Sequence, residues 1–471
     1  MAFSYILVLA VLLAFVSVRL IIDWNKLRKA PGPILAGFTD LWRAYQQYNG
    51  TLREKILDLH AQHGPIVRYG VRCISISDPE VINVVYGSRA GFVTADSYQV
   101  LLGYQNGKDV QSLVSTRDEK QHGALRRSVA NAFTATAALD YEKWIDMTIE
   151  ELLASVTKKS TIDLTSMVLW YTMDASARFS FGAPLGCLAA EEDVNGLLQL
   201  IRNRLTHWTR WSSYPWIERL VYRNSIFKHT TSTPSGMVAV ATERLNARVN
   251  RGAVPKGGKE VGIAPDLLER FLEARKDFPK ALDGPGIVGM LMSTISGAGD
   301  TTASVVAAVL FYLLKHPAAL RKLEDELEHN SIHGIPAFSE VNKLPYLNAV
   351  IKEGMRVFTP GSTPMERLVP AGGAIIAGMY FPEGTTVGCM PAAVHLTKRV
   401  FGEDVHTFHP ERWLIEDREQ LRLMEAAHMG FSRGRRNCIG QNIAMLSMKK
   451  VIPALIMKFK VSDLCVLVIR M

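Results

Sequence analysis

Cysteine is scarce in this sequence, and the cysteines that occur are not arranged in close pairs. The 471 residues contain five of them, and no C-x-x-C motif is present. This pattern excludes zinc ribbons, iron–sulfur runs and a disulfide-stabilised scaffold. Internal repeats and low-complexity tracts are lacking too. A large folded body remains, because 48% hydrophobic and 8% aromatic residues are too many for a disordered chain.

A strong excess of one charge is also missing. The chain has 54 Lys and Arg against 45 Asp and Glu, and the net charge of +9 is diffuse. We therefore expect no nucleic-acid partner, whereas an anionic membrane surface or an acidic protein suits this charge. No G-x-G-x-x-G motif opens a helix after a predicted strand, so we expect no flavin or nicotinamide site in this chain.

Charge is absent from the first 18 residues, which are mostly Leu, Val, Ala and Ile. About 22 helical residues reach roughly 33 Å, enough to cross a bilayer. Lys26, Arg28 and Lys29 follow, and the positive-inside rule places the rest of the chain in the cytoplasm. We predict a lipid-embedded transmembrane anchor over residues 1–22, a basic and Pro-rich hinge over 23–33, and an endoplasmic reticulum location. A cleaved signal peptide is the alternative, but a basic start and a cleavage site are missing.

Helical periodicity dominates the rest of the chain. Residues 34–471 are predicted to form one domain, mainly α with a small β part. Ile66–Asp78 alternates in places like a short hairpin. Ile287–Leu314 has the pattern of a long apolar helix, which begins after Pro285 and stops before His316-Pro317.

The sharpest motif is Phe431–Gly440, which reads F-S-R-G-R-R-N-C-I-G. Its Cys438 precedes a predicted helix, whose unpaired N–H groups and dipole stabilise a thiolate. Gly434 and Gly440 permit tight turns and the close approach of a flat ligand. Arg436 is placed to pair with an anionic group on such a ligand. A lone cysteine in a basic loop is more often an incidental thiol, but the spacing F-x-x-G-x-R-x-C-x-G argues against that interpretation.

This loop resembles that of the cytochrome P-450 superfamily of haem-thiolate monooxygenases. The resemblance extends over roughly residues 30–460, and His60–Arg68 and Leu139–Lys143 look like the fungal pisatin-demethylase branch. It implies a single cytochrome P-450-type domain with haem b, whose iron takes Cys438 as its axial thiolate, a ligand that favours O–O cleavage. It also implies that Phe431 packs near the sulfur, that Gly440 belongs to the haem-binding loop, and that Arg436 contacts a propionate.

Glu353 and Arg356 are spaced to meet on one helical face. Such a pair is usually a solvated surface feature of little energetic value. Within the resemblance, however, the segment Phe408–Trp413 supplies a second arginine, Arg412. Glu353, Arg356 and Arg412 are then expected to form a buried structural triad that stabilises the haem-side core without touching substrate.

The sequence G-A-G-D-T-T at Gly297–Thr302 lies midway along the long apolar helix. Its glycines and threonines favour a local widening of the helical hydrogen bonding, and a polar kink in a core helix is the alternative. The resemblance implies an oxygen-binding groove here, in which Asp300 and Thr301 relay protons to bound O2. The family usually has glycine where Ala298 stands, so the extra methyl is expected to narrow this groove.

His122 and Arg126 lie four residues apart on a predicted helix. On their own they are an ordinary surface pair. They resemble the residues that the family places against a haem propionate, and Arg367 resembles a further propionate contact.

Electrons must reach this site from another protein, and the resemblance implies an NADPH-dependent cytochrome reductase. A basic cluster on the cysteine side fits an acidic flavoprotein. Its members are Lys120, Arg126, Arg127, Arg433, Arg435, Lys449 and Lys450. The expected substrate is an apolar small molecule of fungal secondary metabolism that is hydroxylated, epoxidised or demethylated. Trp208, Trp211, Tyr214 and Trp216 line its pocket or rest on the membrane, and we favour the membrane.

Three interpretations compete. The first is a membrane-anchored monooxygenase that inserts one oxygen atom into its substrate. The second is an isomerase or dehydratase acting on peroxides, which loss of the Asp300–Thr301 pair would favour. The third is a truncated, weakly active or non-catalytic haem protein, because only 33 residues follow Cys438 and the expected C-terminal hairpin is shortened.

Overall fold

Helices make up most of the structure, and short strands form small sheets beside them. The computed structural model describes residues 2–88, 90–105, 108–223, 235–250, 265–361 and 363–459. The prediction of a mainly α fold with a small β part is thereby confirmed. The segment 460–471, for which a shortened hairpin is expected, lies outside the described residues.

The helices are numbered in chain order. The first are α1 (Ala2–Leu27), α2 (Ile34–Phe38), α3 (Leu41–Tyr48), α4 (Leu52–His63), α5 (Ile82–Tyr86), α6 (Glu119–Val129), α7 (Ala135–Asp140) and α8 (Glu142–Thr157). Next come α9 (Leu164–Phe181), α10 (Cys187–Ala190), α11 (Leu197–Trp211), α12 (Pro215–Tyr222), α13 (Ser235–Asn250), α14 (Leu267–Ala274) and α15 (Gly284–Lys315). The last are α16 (Pro317–His329), α17 (Phe338–Val341), α18 (Pro345–Val357), α19 (Pro391–Val394), α20 (Lys398–Phe401), α21 (Arg418–Ala427) and α22 (Gln441–Lys458).

The strands are short and come from distant parts of the chain. They are β1 (Ile66–Gly70), β2 (Cys73–Ile76), β3 (Val93–Thr94), β4 (Gly103–Gln105), β5 (Lys108–Val110), β6 (Arg367–Leu368), β7 (Ala374–Ile376), β8 (Met379–Phe381) and β9 (Thr386–Cys389). The main sheet has the order β1-β2-β9-β6-β3, and β4–β5 and β7–β8 form separate pairs. Antiparallel pairing of β1 with β2 confirms the hairpin predicted at Ile66–Asp78. The sheet also brings Thr94 of β3 opposite Arg367 of β6.

The central helix is α15, and its ends are fixed by local chemistry. The Asp283 carboxylate accepts the Gly286 N–H at 2.8 Å, and Pro285 occupies the first turn. These are the usual stabilising features of a helix N-terminus. The helix stops at Lys315, because Pro317 begins α16.

Two neighbouring helices approach α15 closely because glycine stands at each contact. At Gly299 of α15, a Cβ atom would overlap the sulfur of Met173 in α9. At Gly354 of α18, a Cβ atom would overlap a methyl group of Val309 in α15. The Gly299 carbonyl accepts a hydrogen bond from the Thr172 hydroxyl of α9 at 2.8 Å. These contacts place α9 and α18 against two different stretches of α15, within one buried core.

One helix among the described residues is long and apolar enough to cross a membrane, and it is α15 rather than the N-terminal helix. Of its most apolar 18-residue window, 56% is buried inside the protein, which is what a core helix requires. The N-terminal segment forms a 26-residue helix, α1. The structure therefore provides the helix expected over residues 1–22, and its insertion into a membrane stays a prediction.

We expect Gly354→Ala to lower the free energy of unfolding by about 1–3 kcal/mol, because the new methyl group meets the stiff, branched Val309 side chain. Gly297→Ala is the matched control, since no atom lies within 4 Å of its added Cβ. There the higher helix propensity of alanine should leave stability unchanged or raise it by up to ~1 kcal/mol. Denaturant unfolding of both variants measures the difference. Equal effects at the two positions would contradict the packing argument.

Candidate active site

A cavity of about 480 Å³ lies between α15 and the loop that carries Cys438. Its walls come from α6, α9, α15, α18, α22 and the segments around residues 359–367 and 429–440. This volume falls within the range of sites for drug-sized molecules. The lining combines apolar side chains with many Ser and Thr hydroxyl groups, and its charged side chains are all arginines.

The Cys438 loop is held in a tight turn by its own backbone. The Cys438 N–H donates to the Phe431 carbonyl at 2.9 Å. Gly434 has a φ of 74°, and a Cβ atom there would overlap the Tyr86 carbonyl. Glycine is therefore required at this position by both conformation and space. The helix α22 begins at Gln441, so Cys438 precedes its first turn as predicted.

The Cys438 thiol is exposed to the cavity. Burial within the protein raises the pKa of this thiol, while the Gly440 backbone N–H and Arg126 oppose the rise. The remaining cysteines of the described residues, Cys73, Cys187 and Cys389, are buried away from the cavity. Cys438 is thus the sulfur that a ligand in this cavity can reach.

Positive charge collects on one wall of the cavity. Arg126, Arg367 and Arg436 line it together with His122. Burial, followed by the charges of Arg436, Arg126 and Arg367, lowers the pKa of His122 to about 3, so this imidazole is neutral. Within the described residues, Glu119 is the acid that pairs with this group, through Arg436. The surplus of cations suits an anionic ligand.

These residues fit a haem. An accessible thiol suits its iron, the surplus arginines suit its two carboxylates, and the apolar walls suit its flat macrocycle. The sequence-predicted residues Phe431, Gly440, His122, Arg126, Arg367 and Arg436 all line the same cavity as Cys438.

The arginines differ in how much hydrogen-bonding capacity they keep, and Arg436 keeps the least. Its Nε and Nη2 donate to the Glu119 carboxylate at 3.0 and 2.8 Å. Its Nη1 donates to the Thr116 carbonyl at 2.7 Å. All three nitrogens of this guanidinium are therefore engaged within the protein.

Arg126 and Arg367 are less fully engaged. Arg126 binds the backbone and side-chain oxygens of Asn437 through its two terminal nitrogens. Arg367 donates from Nη1 to the Glu366 carbonyl at 2.8 Å and has the Tyr98 hydroxyl as a second partner. Arg367 therefore has more N–H groups to offer to a carboxylate than Arg436 has.

The triad predicted from the sequence meets at the Glu353 carboxylate, which is fully buried. Arg356 reaches it with two N–H groups at 2.7 and 2.9 Å, and Arg412 with Nε at 3.0 Å. The Trp413 indole N–H and the His409 backbone N–H bind the same carboxylate. The spacing of the motifs does not reveal these last two contacts.

Asp404 is a fourth charged member that sequence reasoning missed. Its carboxylate accepts hydrogen bonds from Arg412 at 3.0 and 2.9 Å. Burial opposes its ionisation, but the hydrogen bonds from Arg412 and His409 prevail and hold the pKa of Asp404 at about 2. This second acid balances the second arginine.

His395, which the sequence analysis did not single out, connects this cluster to the Cys438 loop. Its Nε2 accepts the Met429 backbone N–H at 2.8 Å. Its Nδ1 lies 3.1 Å from the Arg356 carbonyl and 3.0 Å from the Thr359 hydroxyl. Burial holds the pKa of His395 well below its ordinary value, so the ring stays neutral and can accept that N–H.

The two residues expected to relay protons face different surroundings. Thr301 lines the cavity, and its hydroxyl donates to the Gly297 carbonyl. Asp300 is half-buried and is not among the lining residues. Burial raises the pKa of Asp300, and Arg202 of α11 opposes that rise. The predicted widening of α15 is absent, because the helix runs as regular α-helix through Gly297–Thr302.

The basic cluster predicted on the cysteine side is smaller than its sequence members suggest. Lys450 is 1% exposed and pairs with Glu142 and Asp146. Lys449 donates to Asn342 at 2.7 Å, and burial lowers its pKa to about 8. Both belong to α22, whose packing in the core excludes them from the surface.

Three exposed cations remain of that cluster. They are Lys120, Arg127 and Arg435. The other two members are engaged in the protein, Arg126 with Asn437 and Arg433 with the carbonyls of Glu425 and His428.

The aromatic residues of the segment 208–216 also differ in their surroundings. Trp208 donates Nε1 to the Ser97 carbonyl at 3.1 Å and packs against Tyr98, a cavity residue. Trp216 of α12 is 66% exposed. The membrane prediction thus fits Trp216, whereas Trp208 belongs to the inside of the protein.

Removing the Glu353 carboxylate should leave the buried Arg356 without a counter-charge and Arg412 with Asp404 alone. We expect Glu353→Ala to lower the free energy of unfolding by about 3–5 kcal/mol. Glu411→Gln breaks an ion pair with the exposed Lys322 and should change it by less than ~1 kcal/mol. Denaturant unfolding compares the two variants. A loss at Glu353 no larger than at Glu411 would show that the cluster does not stabilise the fold.

Comparison with known proteins agrees with this geometry. The family model described as Cytochrome P450 matches residues 36–464. A cytochrome P450 monooxygenase of Aspergillus terreus is 32% identical over 96% of this chain and 94% of its own length.

Other fungal relatives are similar to the same extent. The cytochrome P450 monooxygenase pkfB of Emericella nidulans is 31% identical over 97% of this chain and 90% of its own length. Pisatin demethylase of Fusarium vanettenii is 30% identical over 93% of this chain and 84% of its own length. The chain therefore belongs to the cytochrome P450 family of haem-thiolate oxidoreductases, in the branch of fungal monooxygenases.

Proposed function

We propose that this protein is a haem b monooxygenase in which Cys438 would bind the haem iron. The observation that carries the proposal is the Cys438 thiol, which opens on a cavity that Arg126, Arg367 and Arg436 also line. Haem, when bound there, supplies the activation of dioxygen and the insertion of one oxygen atom into a C–H or C=C bond. A cavity of this volume beside the thiol supports an enzyme over a non-catalytic relic.

The protein groups around the cavity have separate tasks. Cys438 supplies the thiolate, and the Gly440 N–H and Arg126 stabilise its negative charge. Arg367 and Arg126 bind the haem carboxylates. His122 stays neutral among the arginines, so it can donate a hydrogen bond to a haem carboxylate without adding to their charge. His395 fixes the start of the Cys438 loop by accepting a hydrogen bond from the Met429 N–H.

Thr301 is the group of the proposed acid–alcohol pair that faces the cavity. Its hydroxyl is positioned by the Gly297 carbonyl and can hold and pass a proton at Oγ1. Asp300 lies outside the cavity lining and beside Arg202, so it exchanges protons with the α11 side of the protein and delivers them to the site through Thr301. Retention of this pair supports a monooxygenase over an isomerase or dehydratase acting on peroxides.

The substrate that the cavity suits is apolar and uncharged. The charged lining side chains are Arg126, Arg367 and Arg436, and all of them belong to the group assigned to the haem carboxylates. The cavity face of α15 offers Met290, Ala298 and hydroxyl groups instead. A charged substrate would lose its hydration there without a counter-ion. A neutral secondary metabolite of the kind oxidised in fungal pathways satisfies this requirement.

The electron donor that suits the surface is an NADPH-dependent cytochrome reductase with an acidic docking face. Lys120 and Arg127 are exposed on α6, the helix whose inner face carries His122 and Arg126. Arg435 is exposed in the Cys438 loop. Charges in this position steer an acidic partner towards the haem edge.

A membrane location is supported by the helix α1 and by exposed apolar side chains of α2 and α12. Described side chains of α1 such as Ile6, Leu7 and Val11 are 60–65% exposed. Ile34 is 82% exposed, and Trp216 of α12 is 66% exposed. A run of exposed apolar side chains along one helix, as in α1, is typical of a protein or membrane interaction site rather than of a surface that faces water. We therefore place α1 in the endoplasmic reticulum membrane and the remaining domain on its cytoplasmic face.

We expect Cys438→Ser to abolish the thiolate signature of the reduced, carbon-monoxide-bound protein and to reduce NADPH-supported oxidation to the background level. The oxygen of serine does not replace the soft sulfur ligand. Cys187→Ala is the control, because this thiol is buried outside the cavity and should behave as a small apolar group. A thiolate spectrum that survives in Cys438→Ser would refute the assignment of the ligand.

Charge reversal on α6 tests the electron donor. We expect Lys120→Glu with Arg127→Glu to slow reduction by a microsomal NADPH reductase on the order of tenfold at low salt, because steering is lost. Reduction by dithionite should not change. Lys280→Glu, an exposed lysine before α15, serves as the control. Reduction that is insensitive both to the double reversal and to added salt would exclude this surface as the docking site.

A further inference from the structure

The cavity face of α15 carries hydroxyl groups that no other described residue binds. Ser293, Gly297 and Thr301 line the cavity and follow one another at intervals of four residues. Residues with this spacing lie on one face of a helix. The hydroxyl of Thr301 is donated to the Gly297 carbonyl, and that of the neighbouring Thr294 to the Met290 carbonyl at 2.9 Å.

Ser293 differs from both threonines. It is half-buried, it lines the cavity, and its hydroxyl has no hydrogen-bond partner among the described residues. Thr302, whose hydroxyl is likewise unpaired within the described part of the chain, follows Thr301 directly and belongs to the proton-handling end of the face. Ser293 lies eight residues away from Thr301, a distance of ~12 Å along the helix.

The surroundings of Ser293 are apolar. Met290 lies one turn earlier on the same face. The segment 110–114 packs on α15 at Gly289, where a Cβ atom would overlap the Gln111 carbonyl. This contact brings Leu113 and Val114, which also line the cavity, towards the same end. A substrate that covers this end removes water from the Ser293 hydroxyl and must replace the lost hydrogen bond.

We propose that Ser293 is a specificity-determining residue that binds a neutral hydroxyl or carbonyl oxygen of the substrate, at the end of the molecule remote from the oxidised carbon. This inference rests on the proposed function, since the oxidised carbon is placed at the Thr301 end. It narrows the substrate class to elongated apolar molecules with an uncharged oxygen on the order of 12 Å from the reacting position. Analogues without that oxygen are rejected, because they leave a buried hydroxyl unpaired.

Imidazoles that ligate the haem iron test this proposal without a known substrate. The probes are pairs of 1-alkylimidazoles with chains of about six, eight and ten carbons, bracketing the ~12 Å span, each with a terminal methyl or a terminal hydroxyl group. Spectral titration of the haem-loaded full chain gives each dissociation constant. For at least one length we expect the hydroxyl probe to bind about three- to tenfold more tightly than its methyl partner.

Three variants test whether the Ser293 hydroxyl causes that gain in affinity. It should vanish in Ser293→Ala and persist in Ser293→Thr, which keeps the hydroxyl. It should also persist in Ser296→Ala, because the Ser296 hydroxyl is buried outside the cavity lining. A gain that is absent at every chain length, or that survives in Ser293→Ala, overturns the inference while leaving the proposed function intact. Absence of the thiolate signature from the reduced, carbon-monoxide-bound chain overturns the proposed function, and this inference with it.

Discussion

The position of the thiol in this protein depends on one buried carboxylate. Glu353 accepts five hydrogen bonds, from two N–H groups of Arg356 and one each of Arg412, Trp413 and the His409 backbone. A charge in the interior is tolerated only when it is paired and fully hydrogen-bonded, and this network meets both conditions. Through it α18 is joined to the segment of residues 404–413.

The same cluster reaches the Cys438 loop through His395. That ring contacts the Arg356 carbonyl on one side and accepts the Met429 N–H on the other. Because its pKa is held far below the ordinary value, the ring keeps the lone pair that the Met429 N–H requires. The Cys438 loop, the cavity wall at Thr359 and the buried ion cluster therefore form one continuous set of contacts, through which residues that never touch a ligand can position the site.

The main features of the fold and site follow from the sequence because they are local. The caps and prolines that bound α15, the hairpin of β1 and β2, and the spacing of the Cys438 loop are fixed by neighbouring residues. Other predictions required knowledge of which helical face is buried. From the sequence, Lys449 and Lys450 are expected on the surface. In the structure α22 packs in the core, and both lysines have partners inside the protein. The sequence places Gly299 in an expected oxygen-binding groove, but in the structure this glycine allows the close contact of α15 with Met173.

The sequence by itself determined the family chemistry: a cysteine before a helix in a glycine- and arginine-containing loop, an acid–base helix, and an acid–alcohol pair on a long apolar helix. The tertiary structure decided how these groups are used. It placed Thr301 in the cavity lining and left Asp300 outside it, and it engaged the guanidinium of Arg436 more fully than that of Arg367. It also left the Ser293 hydroxyl without a partner among the residues described. The physical reason is that hydrogen-bond partners distant in the chain are chosen by packing, which residue spacing does not encode.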